Sequence, residues 1–130
     1  MTPRRYIPTL MVALLLQAGV FGWYQSDLLY LRRPVTSIVS DGPDVFRRHA
    51  STALSRERLT RQHLDTMAEA AKALGQTDLE VDSLTRRLAM DPLDPALTMR
   101  LAEAVRRSGD LARAEALYLS VLRRSQESSR

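Results

Sequence analysis

The sequence predicts an all-α chain in which a single N-terminal transmembrane helix leads into a short α-solenoid of helix–turn–helix repeats. Two observations carry this expectation. Residues 61–126 hold one pattern twice, thirty-four residues apart: Gly75 and Gly109, Met67 and Leu101, Ala68 and Ala102, Ala71 and Val105, Leu84 and Tyr118, Leu88 and Leu122. A fixed period of this length marks helical-repeat architectures, in which each helix pair buries its apolar face against a neighbouring pair. The second observation is the uncharged, mostly apolar stretch 7–22, which has no counterpart later in the chain.

The chain starts with Arg4 and Arg5; Tyr6 precedes the apolar stretch, and Trp23 and Tyr24 follow it. Aromatic residues favour both membrane–water interfaces. The nineteen residues 6–24 make roughly 28 Å of helix, about the hydrocarbon thickness of a bilayer. The helix can run on to Arg33 and stops before Pro34, so 1–33 is read as basic start and transmembrane helix, with bilayer contact over 7–24. A basic start before an apolar core also suits a cleaved signal peptide. A soluble core helix is the third reading, but no later helix offers a matching apolar surface. Arg4, Arg5 and the terminal amine nearly balance Arg32 and Arg33 across the segment. Keeping the basic tail inside puts the repeats in the periplasm, anchored to a bacterial inner membrane by a single pass; the opposite orientation puts them in the cytosol. Within the span, Gln17, Ala18 and Gly22 mark a face for contact with another transmembrane helix, since small residues permit close approach and a mid-depth amide seeks a partner.

Residues 34–54 are expected to form a linker, because Pro34, Gly42, Pro43 and small polar residues oppose a long helix. A short helix over 44–54 within it is positioned to cover the front of the first repeat. Residues 55–126 form the repeat domain. Its first helix is expected from Ser55, as N-cap, to Leu74, with Gly75 as the left-handed stop. Thr77 and Glu80 read as a capping box for the second helix. Asp94 caps the third, with Pro95 at its first position, where a missing N–H costs nothing. Gly109 closes that helix, Asp110 caps the fourth, and 127–130 fray.

In the second copy the order Leu101-Ala102, Val105, Gly109, Leu111, Ala114, Tyr118, Leu122 resembles the tetratricopeptide (TPR) repeat, as does the period. The first copy departs from that pattern: Glu80 stands where the family usually has alanine, and Thr77 where it has a large residue. Pro92 falls at the family's closing proline. The resemblance covers about half the chain. It implies an α-solenoid whose habit is binding other proteins; anchored periplasmic TPR proteins serve cytochrome maturation, secretion and polysaccharide export.

Composition narrows the chemistry. There is no cysteine, so disulfides, thiolate metal sites and cysteine nucleophiles are excluded. Eighteen of the nineteen basic residues are arginine, a bias that fits a GC-rich bacterial genome. Residues 55–130 carry thirteen basic and twelve acidic side chains, whereas the first 54 carry six arginines against three aspartates. A nucleic-acid binder concentrates its basic excess on the folded domain, so no nucleic-acid partner is expected. His49 and His63 read as solvated histidines. The pairs Arg86-Arg87, Arg106-Arg107 and Arg123-Arg124 read as complements to helix C-terminal dipoles. No catalytic constellation, cofactor or metal is expected, and the chain is not read as an enzyme.

The last helix carries the candidate interaction site. Leu111, Ala114, Tyr118, Val121 and Leu122 are expected to face their own repeat. Ala112, Ala116 and Leu119, with Leu117 at the margin, lie where a further helix packs in longer arrays, and no later segment of this sequence can serve as that helix. An uncovered apolar patch on such a domain marks an interaction site, so this side is expected to dock a partner subunit or a second copy. Together these readings predict a membrane-anchored TPR-like module acting as scaffold, assembly factor or small accessory subunit of a larger membrane complex. The alternative is a soluble periplasmic TPR binding protein released by signal-peptide cleavage.

Overall fold

The computed structural model describes residues 7–56 and 58–130, with side chains of the first helix described at 8–17 and 27–30. Among the described residues there are seven helices: α1 (Ile7–Tyr30), α2 (Val35–Ser40), α3 (Pro43–Leu54), α4 (Arg61–Ala73), α5 (Thr77–Met90), α6 (Pro95–Ser108) and α7 (Leu111–Ser128). The all-α solenoid expected from the sequence is present. Helices α4–α5 and α6–α7 are the two copies of one helical pair.

The thirty-four-residue offset extends to the punctuation of the helices. Thr60 caps α4 and Asp94 caps α6; Gln76 stands at the N-cap of α5 and Asp110 at that of α7. Gly75 and Gly109 both take positive φ, 69° and 95°, the left-handed conformation in which glycine avoids the Cβ penalty. The first repeat helix therefore starts at Arg61, not near Ser55, which instead ends α3. Its cap is a reciprocal box: the His63 N–H donates to Thr60 Oγ1 at 3.2 Å, and the Thr60 N–H donates to His63 Nδ1 at 3.3 Å. The capping box expected at Thr77 and Glu80 is not made. Gln76 is the N-cap of α5, without a side-chain bond, and Glu80 is engaged across the repeat boundary.

Residues 34–43, expected as linker, contain α2, and the short helix expected over 44–54 is present as α3. Pro34 precedes α2, and Pro43 occupies the first turn of α3, where its fixed φ suits a helix and its missing N–H costs nothing. Ile38, Phe46, Ala50, Ala53 and Leu54 are buried with Leu64, Met67, Ala70, Ala71 and Leu79 of the first repeat. A second cluster joins the repeats through Ala68, Leu84, Leu101, Ala104, Val105 and Ala114.

The membrane anchor is corrected. Among the described residues no helix is long and apolar enough to cross a membrane. The C-terminal turn of α1 belongs to the helical domain: Asp27, Tyr30 and the following Leu31 are buried, and Asp27 is ion-paired to α3 and to Arg56. Hydrocarbon does not tolerate such a carboxylate without a cost of a few kcal/mol. The single-pass inner-membrane placement with a periplasmic domain therefore falls. Gln17 is exposed, while the side chains of Ala18 and Gly22 lie outside the described residues.

Candidate functional site

The two repeats provide an internal control for which surfaces are complete. Helix α5 is packed on one side by α4 and on the other by α6, where Val81 and Leu88 lie half-buried beside the fully buried Leu84. Thirty-four residues on, the matching positions of α7 are Glu115, Leu122 and Tyr118. Leu122 is 57% exposed and Glu115 is exposed, because no helix among the described residues stands where α6 stands for α5. Ala114 alone is fully buried on α7, against four to six buried residues on each of α4, α5 and α6.

Of the four residues singled out from sequence, Ala112, Ala116 and Leu119 are exposed, whereas Leu117 turns inward and packs on the second cluster. Leu111 and Leu122, expected to face their own repeat, lie exposed with them. The register would have found Leu122, since its counterpart Leu88 packs against the next helix. The open arc runs over Leu111, Ala112, Glu115, Ala116, Leu119, Leu122 and Arg123. A separate shallow groove on another side of α7 is lined by Leu93, Pro95, Val121 and Arg124, where Leu93 is 75% exposed. On α1, residues 8–17 are also exposed and largely apolar, but around the whole helix, so no side is singled out.

Several charged side chains elsewhere are committed to internal structure. The Arg107 guanidinium grips the Glu80 carboxylate with two bonds, 2.8 and 2.9 Å, and Glu80 is buried. Arg47 makes the same fork on Asp78, at 2.8 Å each, and holds its carboxyl below the usual carboxylate range. Arg87 bonds Asp65 and Asp91 and holds the Asp91 carboxyl low as well. Arg106, and then the Tyr118 hydroxyl, lower that of Glu103.

Neither histidine is a solvated one. His63 is buried in its cap, and burial, reinforced by the nearby Arg32 charge, lowers its pKa. His49 meets Asp27 at 2.8 Å and stacks on Tyr30 with ring centroids 4.1 Å apart. Burial, with Asp41 nearby, raises the Tyr30 pKa. This cluster fastens the end of α1 to α3; Asp27 engages His49 and Arg56, while the Tyr30 hydroxyl is buried without a hydrogen-bond partner among the described residues. No group of three or more metal-ligating side chains occurs among the described residues.

The chain matches the family described as the bacterial transcriptional activator domain (BTAD) over residues 34–128, which takes in α2 to α7. Comparison with curated proteins gave no match, and comparison with solved structures gave none.

Proposed function

The chain belongs to the bacterial transcriptional activator domain family, and on that premise we propose that it is a non-enzymatic protein-interaction module whose protein partner docks on the outer face of α7. The observation that carries this reading is the pair Leu88 and Leu122. The same repeat position is half-buried against the next helix pair in one copy and 57% exposed in the other, and large apolar side chains left open in a register that elsewhere receives a helix mark an interaction site. The family's description points the docking toward an assembly that regulates transcription. The contact is with protein and not with nucleic acid. Seven arginines, Arg33, Arg47, Arg56, Arg61, Arg87, Arg106 and Arg107, are paired to carboxylates within the chain, so these guanidiniums are already engaged and would have to exchange partners to neutralise phosphates.

The test uses a photo-crosslinking amino acid placed at Leu119, at Leu122, and at the exposed Asp82 of α5 as control. In the host cell, adducts of discrete mass are expected at the first two positions and not at Asp82, and excess duplex DNA added to a lysate leaves them unchanged. Equal labelling at all three positions, or none, overturns the reading.

A further inference from the structure

The exposed arc of α7 carries its own complement. Leu119 lies at its middle, 43% exposed. Glu115 lies one turn before it and Arg123 one turn after, both exposed, and neither makes an ion pair among the described residues. Leu111 and Leu122 flank them on one side, Ala112 and Ala116 on the other.

The geometry points to an antiparallel pairing of α7 with α7 of a second copy of this chain, about a two-fold axis beside Leu119. It rests on the reading that the outer face of α7 docks protein, and it names the occupant. Under such an axis a residue k positions before Leu119 faces the residue k positions after it in the other copy. Glu115 then faces the second copy's Arg123, and Arg123 faces its Glu115. Ala116 lies against Leu122 and Ala112 against Gln126, so small side chains oppose larger ones. Leu119 meets itself on the axis, as an isologous interface requires. A parallel arrangement sets Glu115 against Glu115 and Arg123 against Arg123, so the charges select the antiparallel one. Antiparallel helices also oppose their dipoles favourably. A single pair of 18-residue helices buries less than the roughly 1,200 Å² at the low end of stable interfaces, so the dimer is weak and exchanges readily.

The experiment is sedimentation of the full chain across micromolar concentrations, with far-UV circular dichroism to verify the fold. Glu115→Arg leaves the face with arginine at both charged positions; Arg123→Glu leaves it with glutamate at both. Each variant alone is expected to weaken self-association about tenfold or more, because two repulsive contacts replace two attractive ones in every dimer. Mixing the two variants restores association, since arginine then faces glutamate at both ends. Combining both changes in one chain restores it as well. The parent chain has no cysteine, so Leu119→Cys gives a second readout: a disulfide dimer forming across the axis, faster than Asp82→Cys forms one. Single variants that associate like the parent overturn the proposal, as does a mixture that fails to recover; association through the apolar residues of α1 gives the first of these outcomes. Adducts at Leu119 with a different protein overturn the second copy as occupant while leaving the docking face intact, and the absence of any adduct removes both.

Discussion

Helices α5 and α7 occupy the same place in the same repeat, thirty-four residues apart, yet their environments differ. Leu84 is 1% exposed between α4 and α6, and Leu88 is half-buried beside it; their counterparts Tyr118 and Leu122 are half-buried and 57% exposed. The positions share local geometry and differ in what stands next to them. In a solenoid the burial of a residue is decided by the adjacent pair as much as by its own. A sequence position that reads as core in one copy becomes surface in the next without any change in helix or register.

The boundary between the copies is where the comparison breaks hardest. Glu80 and Ala114 are equivalent positions, one holding a buried carboxylate and the other a methyl group. Arg107→Ala leaves the buried Glu80 carboxyl unpaired; it is expected to destabilise the domain by about 2–3 kcal/mol in urea unfolding, at or below the bottom of the roughly 3–5 kcal/mol range for buried pairs, because Arg107 keeps 35% of its side chain in water. Combining Glu80→Ala with Arg107→Leu recovers most of that loss by giving the first copy the second copy's solution. A loss under about 0.5 kcal/mol for Arg107→Ala places the inter-repeat contact elsewhere.

A smaller difference separates Leu88→Ser from Leu122→Ser. The first removes a half-buried side chain from the second cluster and costs about 1–2 kcal/mol; the second changes an exposed one and stays within about 0.5 kcal/mol in dilute protein. Equal costs mean that α7 is covered in solution as α5 is.

The smallest effect concerns the caps. Thr60 and Asp94 match, but three residues on the first copy buries His63 where the second buries Leu97. The folded pKa of His63 is lowered by burial, so the unfolded chain binds the proton more readily. Stability contributed by neutral His63 is present above the unfolded value near 6.5 and falls as pH drops through it. Glutamine suits the same place in a capping box. Thermal melts of the parent and of His63→Gln should therefore run parallel above pH 7.5 and diverge below 6.5, with the parent losing more. Parallel curves down to pH 5 remove His63 as the source of acid sensitivity specific to the first copy.

Much of this fold was legible in the sequence, because glycine stops, caps and apolar stripes are local signals and recur at one spacing. Helix α2 was hidden by Pro34 and Gly42, which read as linker residues, although a proline that breaks long helices also starts short ones; the helix over 44–54 was legible. Glu80 was misread because Thr77 to Glu80 fits a capping box locally, and its partner Arg107 lies twenty-seven residues away. The membrane reading followed apolar composition over 7–22, and no residue there signals that Asp27 and Tyr30 at the other end of α1 are held by His49 and Arg56. On α7 the open side was legible through Ala112, Ala116 and Leu119, but Leu117 turns inward. Leu122 was assigned by analogy with a core position whose neighbouring helix has no equivalent beside α7 among the described residues.

The fork between Arg107 and Glu80 has a mechanical consequence. One hydrogen bond leaves two helices free to swivel about it; two parallel bonds in a common plane resist rotation as well as separation. The angle between successive helix pairs sets the pitch of a solenoid, as the angle between treads sets that of a spiral stair. Here one guanidinium, beside the apolar contacts of the second cluster, braces that angle at the step between the two described pairs, so the direction in which α7 presents its open side follows from the orientation of α5.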